Sequence, residues 1–219
     1  MITRYQTAAD LPKQIALFPL SGALLLPRTD LPLNIFEPRY LLMVEAAMVG
    51  DRIIGIIQPE QDDKAERPKL ERVGCAGRIT SYSEADDGRL LITITGICRF
   101  TLKRELKSKS PFRQAQVDFK PFAIDLVHGT GAPSVNREQL LEAFRQYLAA
   151  NNMTTNWDEV NAVGTEVLVN TLSLLAPYPP KEKQALLEAP DLKARADVLV
   201  ALTELALKKS LGGSSTRMQ

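Results

Sequence analysis

Residues 70–106 constrain this chain more than any other stretch. Residues 73–82 and 90–102 read as two long strand arms, and the SEADDGR segment between them carries the Asp-Gly signal of a hairpin turn. In the second arm Leu90, Ile92 and Ile94 take one face and Leu91, Thr93 and Thr95 the other, the period of two expected of a strand. Gly96 interrupts that alternation and reads as a bulge or barrel corner. Gly74 and Gly77 suit close backbone approach or strong curvature. Three glycines in two long strands predict a sheet that rolls up on itself.

The preceding residues supply partners for that sheet. A short strand is expected at 15–20, closed by Pro19, and residues 21–27 run back as a loop and second strand. Residues 31–36 alternate again, with Leu31, Leu33 and Ile35 on one face; Pro32 cannot donate a ladder hydrogen bond, so this strand begins or lies at an edge there. A helix follows, with Pro38 at its first position, Glu37 at the cap, and Phe36 and Leu41 at hydrophobic-staple spacing. Leu41, Val44, Ala47 and Met48 form its apolar set, and Gly50-Asp51 is expected to end it through a positive φ. Residues 52–58 are a nearly continuous apolar run suited to a buried strand, 59–69 an exposed loop, and 111–119 a further strand.

Composition changes after a linker-like stretch at 121–133, and helical periodicity takes over. One helix carries Leu140, Leu141, Phe144 and Leu148 behind Asn136 and Gln139 at capping-box spacing. Asn156 and Glu159 repeat that spacing for a helix carrying Val160, Val163, Val167, Thr171 and Leu174. Pro177-Tyr178-Pro179-Pro180 breaks it and starts a short third helix through Glu188. Asp191 caps a last helix with Leu192, Arg195, Leu199, Leu202 and Ala206 along one side, stopped by Gly212-Gly213. The division expected is a β-rich domain at 1–122, a helical bundle at 123–211 and a disordered tail at 212–219.

The chain of 219 residues carries a formal net charge of +1, which gives no general pull toward nucleic acid or anionic membrane. Its two cysteines match no zinc spacing, and the lone His128 cannot complete a multi-histidine metal site. The amino terminus lacks the apolar run of a signal peptide, and no apolar run is long enough to span a bilayer. The default setting is therefore the cytoplasm, with both thiols reduced.

Several short motifs occur in a telling order. Phe18-Pro19-Leu20, Leu24-Leu25-Leu26-Pro27 and LPLNIFEPRY (31–40) are followed by VGCAGRI (73–79), Asp87-Gly88-Arg89, Gly96-Ile97-Cys98-Arg99-Phe100 and KQALLE (183–188). This set resembles the amino-terminal domain family of Lon protease, in particular its bacterial stand-alone members, over about residues 14–209. The resemblance implies an α+β fold: a PUA-like curved antiparallel β pseudo-barrel with one inserted helix, then a C-terminal helical bundle. Periodicity alone reaches only a curved antiparallel sheet followed by helices. The resemblance further implies a non-catalytic protein- or peptide-binding module that uses no cofactor. Its partners would be unfolded or extended protein segments and a separate protease. Nothing after residue 122 resembles the ATPase and protease domains of full-length Lon, and no G-x-S-x-G, H-E-x-x-H or Walker motif is present.

Phe18, Phe36, Arg39 and Tyr40 lie beside the expected groove-forming turns and are the candidate peptide-binding residues; no catalytic or metal-binding residue is assigned. Glu37 and Arg39 read better as a helix cap and ion pair than as an anchor for a partner's charged terminus. Tyr40 reads as half in the core, and Asp86-Asp87 as a turn rather than a cation site. Two alternatives are an uncharacterised hydrolase, which lacks a convergent nucleophile and base, and an RNA binder. The RNA reading rests on Arg99, Lys103, Arg104, Lys107, Lys109 and Arg113, a cluster interrupted by Glu105 and without interleaved aromatics. Cys75 and Cys98 lie on the two hairpin arms, and the register decides whether they face each other, sit diagonally on one face, or occupy opposite faces.

Overall fold

The computed structural model describes residues 5–60 and 67–214. Six strands form one sheet: β1 (Gln14–Pro19), β2 (Asp30–Ile35), β3 (Ile53–Pro59), β4 (Leu70–Glu84), β5 (Leu90–Glu105) and β6 (Arg113–Asp118). Their order is β2-β5-β4-β3-β1-β6, and β6 pairs again with β5. The sheet therefore closes into a ring of five strands, with β2 laid along the first half of β5. All pairs are antiparallel except β1–β3, which is parallel, with Leu17 opposite Gly55. The expected all-antiparallel sheet is corrected to a mixed one. The helix α1 (Pro38–Val49) lies between β2 and β3 in the chain, and a crossover of that length permits the parallel pair.

The glycines do what their spacing predicts. Ile97 has no partner between the Ala76–Cys98 and Gly77–Gly96 pairs, so β5 bulges next to Gly96. A Cβ on Gly96 would lie 2.0 Å from the Leu26 carbonyl oxygen, and one on Gly74 would lie 2.5 Å from the Phe100 ring. Leu17, Ile54, Ile57, Ile94 and Phe100 are buried in the sheet's core. Residues 20–29 form no strand, contrary to expectation. They pass as a loop whose Leu24, Leu25 and Leu26 are buried, with the Arg28 amide donating to the Gly96 carbonyl at 2.8 Å.

The end of α1 also differs from expectation. Gly50 has φ −100°, and the left-handed residue is Arg52 at φ 61°. Glu37 is the cap residue, but its side chain makes no cap hydrogen bond, because it pairs with Arg39 instead.

Two compact units are present: Met1–His128 with Pro177–Leu187, and Gly129–Ala176 with Glu188–Gln219. Composition shifts near residue 123, but residues 123–128 and the segment 177–187 go with the sheet. The supposed linker contains a 3-10 segment, Lys120–Leu126, with Phe122 and Asp125 buried. Helix α5 (Pro180–Glu188) is tied to the barrel by buried amides. Gln58 Nε2 donates to the Pro180 carbonyl and to Gln184 Oε1, both at 3.1 Å, and Gln184 Nε2 donates to the Val73 carbonyl at 3.1 Å.

In the second unit α6 (Leu192–Ser214) packs against α2 (Arg137–Ala150) and α4 (Thr165–Leu175). Asn136, Asn156 and Asp191 all cap as expected, accepting from the amides of Gln139, Asp158 and Ala194. The helix expected from Asn156 onward is split in two: α3 (Trp157–Ala162) ends at Val163, whose ψ of 137° is extended, and α4 restarts after Gly164. The buried residues of α4 are accordingly Leu168, Val169, Asn170, Leu172 and Ser173, not the expected set. α6 runs through Gly212-Gly213 to Ser214, and residues 215–219 of the expected tail lie outside the described residues, as do 61–66 of the expected 59–69 loop.

Candidate functional site

Strand direction gathers five strand ends at one mouth of the barrel. β1 and β3 are parallel and finish together at Pro19 and Pro59; β4 enters opposite Pro59 at Leu70; β5 leaves and β6 begins there, with Glu105 opposite Ala115. The start of α1 meets the same mouth. A groove of about 610 Å³ opens between these ends. Tyr40 and Phe112 line it, with Pro19, Pro59, Pro68 and Pro111, and among the described residues its charged lining residues are Arg39, Arg67 and Arg113.

Each side chain is held for a local reason. Pro38 starts α1 directly after β2, so Arg39 and Tyr40 fall on its first turn. The Tyr40 ring lies on Phe18 with centroids 4.2 Å apart, and the Arg39 guanidinium sits 4.6 Å above that ring. Arg39 also binds Glu37 through Nε at 3.0 Å and Nη2 at 2.8 Å. Burial pushes the Tyr40 phenol above its ordinary pKa, and the adjacent Arg39 charge opposes that. Across the groove, Arg113 binds Glu105 in a bidentate pair and donates Nη1 to the Pro68 carbonyl at 2.7 Å. Arg67 reaches the same Glu105 carboxylate at 3.1 Å. The hydrogen bond from Arg113 is the largest influence holding Glu105 below the ordinary carboxylate range; burial opposes it, and the Arg113 and Arg67 charges add to it.

Of the four candidate residues, Arg39 and Tyr40 line the groove. Phe18 is 4% exposed and stacks on Tyr40; Phe36 is 64% exposed and is not part of the groove lining. Sequence reading missed Phe112, Arg113 and Arg67 as groove partners. Their one available signal was the repeated pairing of proline with an aromatic or basic neighbour, in Arg67-Pro68 and Pro111-Phe112-Arg113.

The free sheet edge offers less. Among the described residues β2 pairs only with β5, so Pro32 does lie on an edge strand. The Gly96 amide donates to the Thr29 carbonyl, which sets the alternation and turns the backbone groups of Asp30, Pro32 and Asn34 away from β5. Proline in that outward row removes a donor that an added strand would need.

The basic cluster is not one surface. Arg99 is buried against Asp125, Lys103 pairs with Asp118 at 3.1 Å, and Arg104 donates to Gln116 at 3.1 Å. Cys75 lies opposite Arg99 and Cys98 opposite Ala76, so the two thiols occupy opposite faces and form no redox pair. Asp87 pairs with Arg89 within the turn at 2.6 Å. His128 lines a separate cavity of about 260 Å³ with Arg28 and Arg78. Among the described residues no group of three or more His, Cys, Asp or Glu is placed to hold a metal ion, and no helix is long and apolar enough to cross a membrane.

The closed mixed barrel, joined in one chain to a helical unit, is a fold shared with solved Lon N-terminal domains. The Lon N-terminal domain protein from Xanthomonas campestris superposes with a TM-score of 0.61 at 21% identity, covering 86% of this chain and 97% of that one. The N-terminal domain of a Mycobacterium avium complex Lon protease gives a TM-score of 0.64 at 17% identity, covering 88% and 98%. The profile described as the ATP-dependent protease La (LON) substrate-binding domain matches residues 14–204, and the chain belongs to that family. Curated relatives include Lon protease 2 of Myxococcus xanthus, 25% identical over 88% of this chain, and the Lon protease of Flavobacterium johnsoniae, 23% identical over 91%. The chain spans about a quarter of the length of each.

Proposed function

We propose that this chain is a non-catalytic module that holds extended segments of other proteins in the groove at the barrel mouth. The observation that carries the reading is the Tyr40–Phe18 stack under Arg39. It is an apolar surface with a cationic rim, fixed on the first turn of a helix and on a barrel end, in a family described by substrate binding. A rigid support of this kind lowers the ordering cost of capture. The barrel is read as PUA-like, and the setting as the cytoplasm. A protease is the downstream partner, because relatives named Lon protease carry this domain as a quarter of their length.

The test uses a reduced, alkylated and permanently unfolded protein as labelled probe. Arg39→Glu, Tyr40→Ala and Ser108→Trp, the last filling the groove from an exposed position, weaken capture about tenfold or more while the thermal transition is retained. Capture unchanged by all three refutes the groove. Turnover of peptide, ester or ATP by the pure chain refutes the non-catalytic reading.

A further inference from the structure

We infer that the groove selects segments in which a carboxylate side chain stands next to an aromatic or large apolar residue; this rests on the groove reading above. The argument starts from donors and acceptors. Pro19, Pro59, Pro68 and Pro111 bring no backbone N–H to the lining. Those four positions therefore offer no donor to the main-chain ladder that captures an extended strand by backbone pairing. Its strong donors are guanidinium groups, and among the described residues every charged lining residue is an arginine. Such a wall pairs with an acceptor that the ligand brings on a side chain.

The charge balance points the same way. Among the described residues, Arg67 and Arg113 share the single carboxylate of Glu105. Arg113 uses Nε and Nη2 on Glu105 and Nη1 on the Pro68 carbonyl, so it is fixed in place. Arg67 makes one bond to Glu105, and its side chain is 66% exposed. Among the described residues, two cations over one anion leave an excess positive charge beside the groove, on the more exposed of the two arginines. A ligand carboxylate at Arg67 offsets that excess, and a neighbouring apolar side chain covers Tyr40 and Phe112. Arginine presents the planar fork that a carboxylate matches in two bonds, which sets this apart from general attraction to negative charge.

The probe is a labelled Gly-Ser peptide carrying one Phe-Asp pair, compared with Phe-Asn and Phe-Lys twins by fluorescence anisotropy. The Phe-Asp peptide binds about tenfold tighter than the Phe-Asn twin, the worth of one charge-assisted pair. Arg67→Glu abolishes that preference, and added salt narrows it. Equal binding of the Phe-Asp and Phe-Asn peptides, with both lost on Ser108→Trp, overturns the carboxylate inference and leaves the groove reading standing. Binding of no peptide, or binding indifferent to Ser108→Trp, overturns both. Displacement of the Phe-Asp peptide by single-stranded oligouridylate at equal concentration shows a phosphate site and likewise overturns the inference.

Discussion

Arg99 and Asp125 form an ion pair inside the protein, with Arg99 Nη2 2.8 Å from Asp125 Oδ1 and side chains only 1% and 7% exposed. Arg99 Nε reaches the second carboxylate oxygen at 2.8 Å, Nη1 donates to the Leu187 carbonyl at 3.0 Å, and the guanidinium lies 4.4 Å over the Phe122 ring. One side chain thus joins β5, the 3-10 segment and α5, three pieces far apart in sequence.

Removing either partner leaves a buried charge without its counter-ion. Asp125→Ala and Arg99→Ala are each expected to destabilise by about 3–5 kcal/mol in chemical denaturation, whereas Arg99→Met with Asp125→Leu loses much less than the sum. Full additivity of the two single changes contradicts the pairing.

The bulge at Gly96 has no room for a methyl group, because the obstacle is the Leu26 carbonyl oxygen rather than a movable side chain. Gly96→Ala is expected to cost about 3 kcal/mol or more. Gly88→Ala, at φ 78° with open space around it, costs about 1 kcal/mol. Comparable melting temperatures for the two variants contradict the close approach.

Glu105 is held below its ordinary pKa of 4.5 by Arg113 first and Arg67 second. A carboxylate whose folded pKa is depressed stabilises the fold fully above its unfolded pKa, and that contribution fades as pH falls through the folded value. The stability difference between the protein and Glu105→Gln is therefore expected to be constant down to about pH 5 and to shrink below it. A gap that widens on acidification contradicts the sign.

Both thiols are buried, and burial, with Asp125 nearby, raises the Cys98 pKa far above the ordinary thiol value. Neither cysteine is expected to react with a water-soluble disulfide reagent until the chain is unfolded, when both titrate. An internal disulfide under mild oxidant contradicts the observed register.

Gly164 caps α4 without a side-chain bond, at φ −61° and ψ 148°, with nothing near its missing Cβ. Gly164→Ser supplies the absent acceptor and restricts the unfolded chain, so a gain of about 0.5–1 kcal/mol is expected in thermal or urea unfolding.

Much of this protein is written in local pattern. The arms of β4 and β5, the glycine corner, the proline start of α1 and the asparagine and aspartate caps depend on neighbours within a few residues, and each stands where periodicity and turn chemistry put it. Tyr40 and Arg39 are legible for the same reason, since Pro38 sets the helix start. What local pattern does not contain is pairing between distant segments. The hairpin predicts neither the parallel β1–β3 pair nor the second β5–β6 pairing, because both are decided by which ring of strands buries Phe100 and its neighbours. Arg99 looks like a surface cation until Asp125 is folded against it, and 177–187 looks like part of the bundle until Gln58 and Gln184 meet. Arg67, Arg113 and Glu105 converge for a comparable reason: direction and register bring five strand ends to one mouth, and that geometry exists only once the barrel has closed.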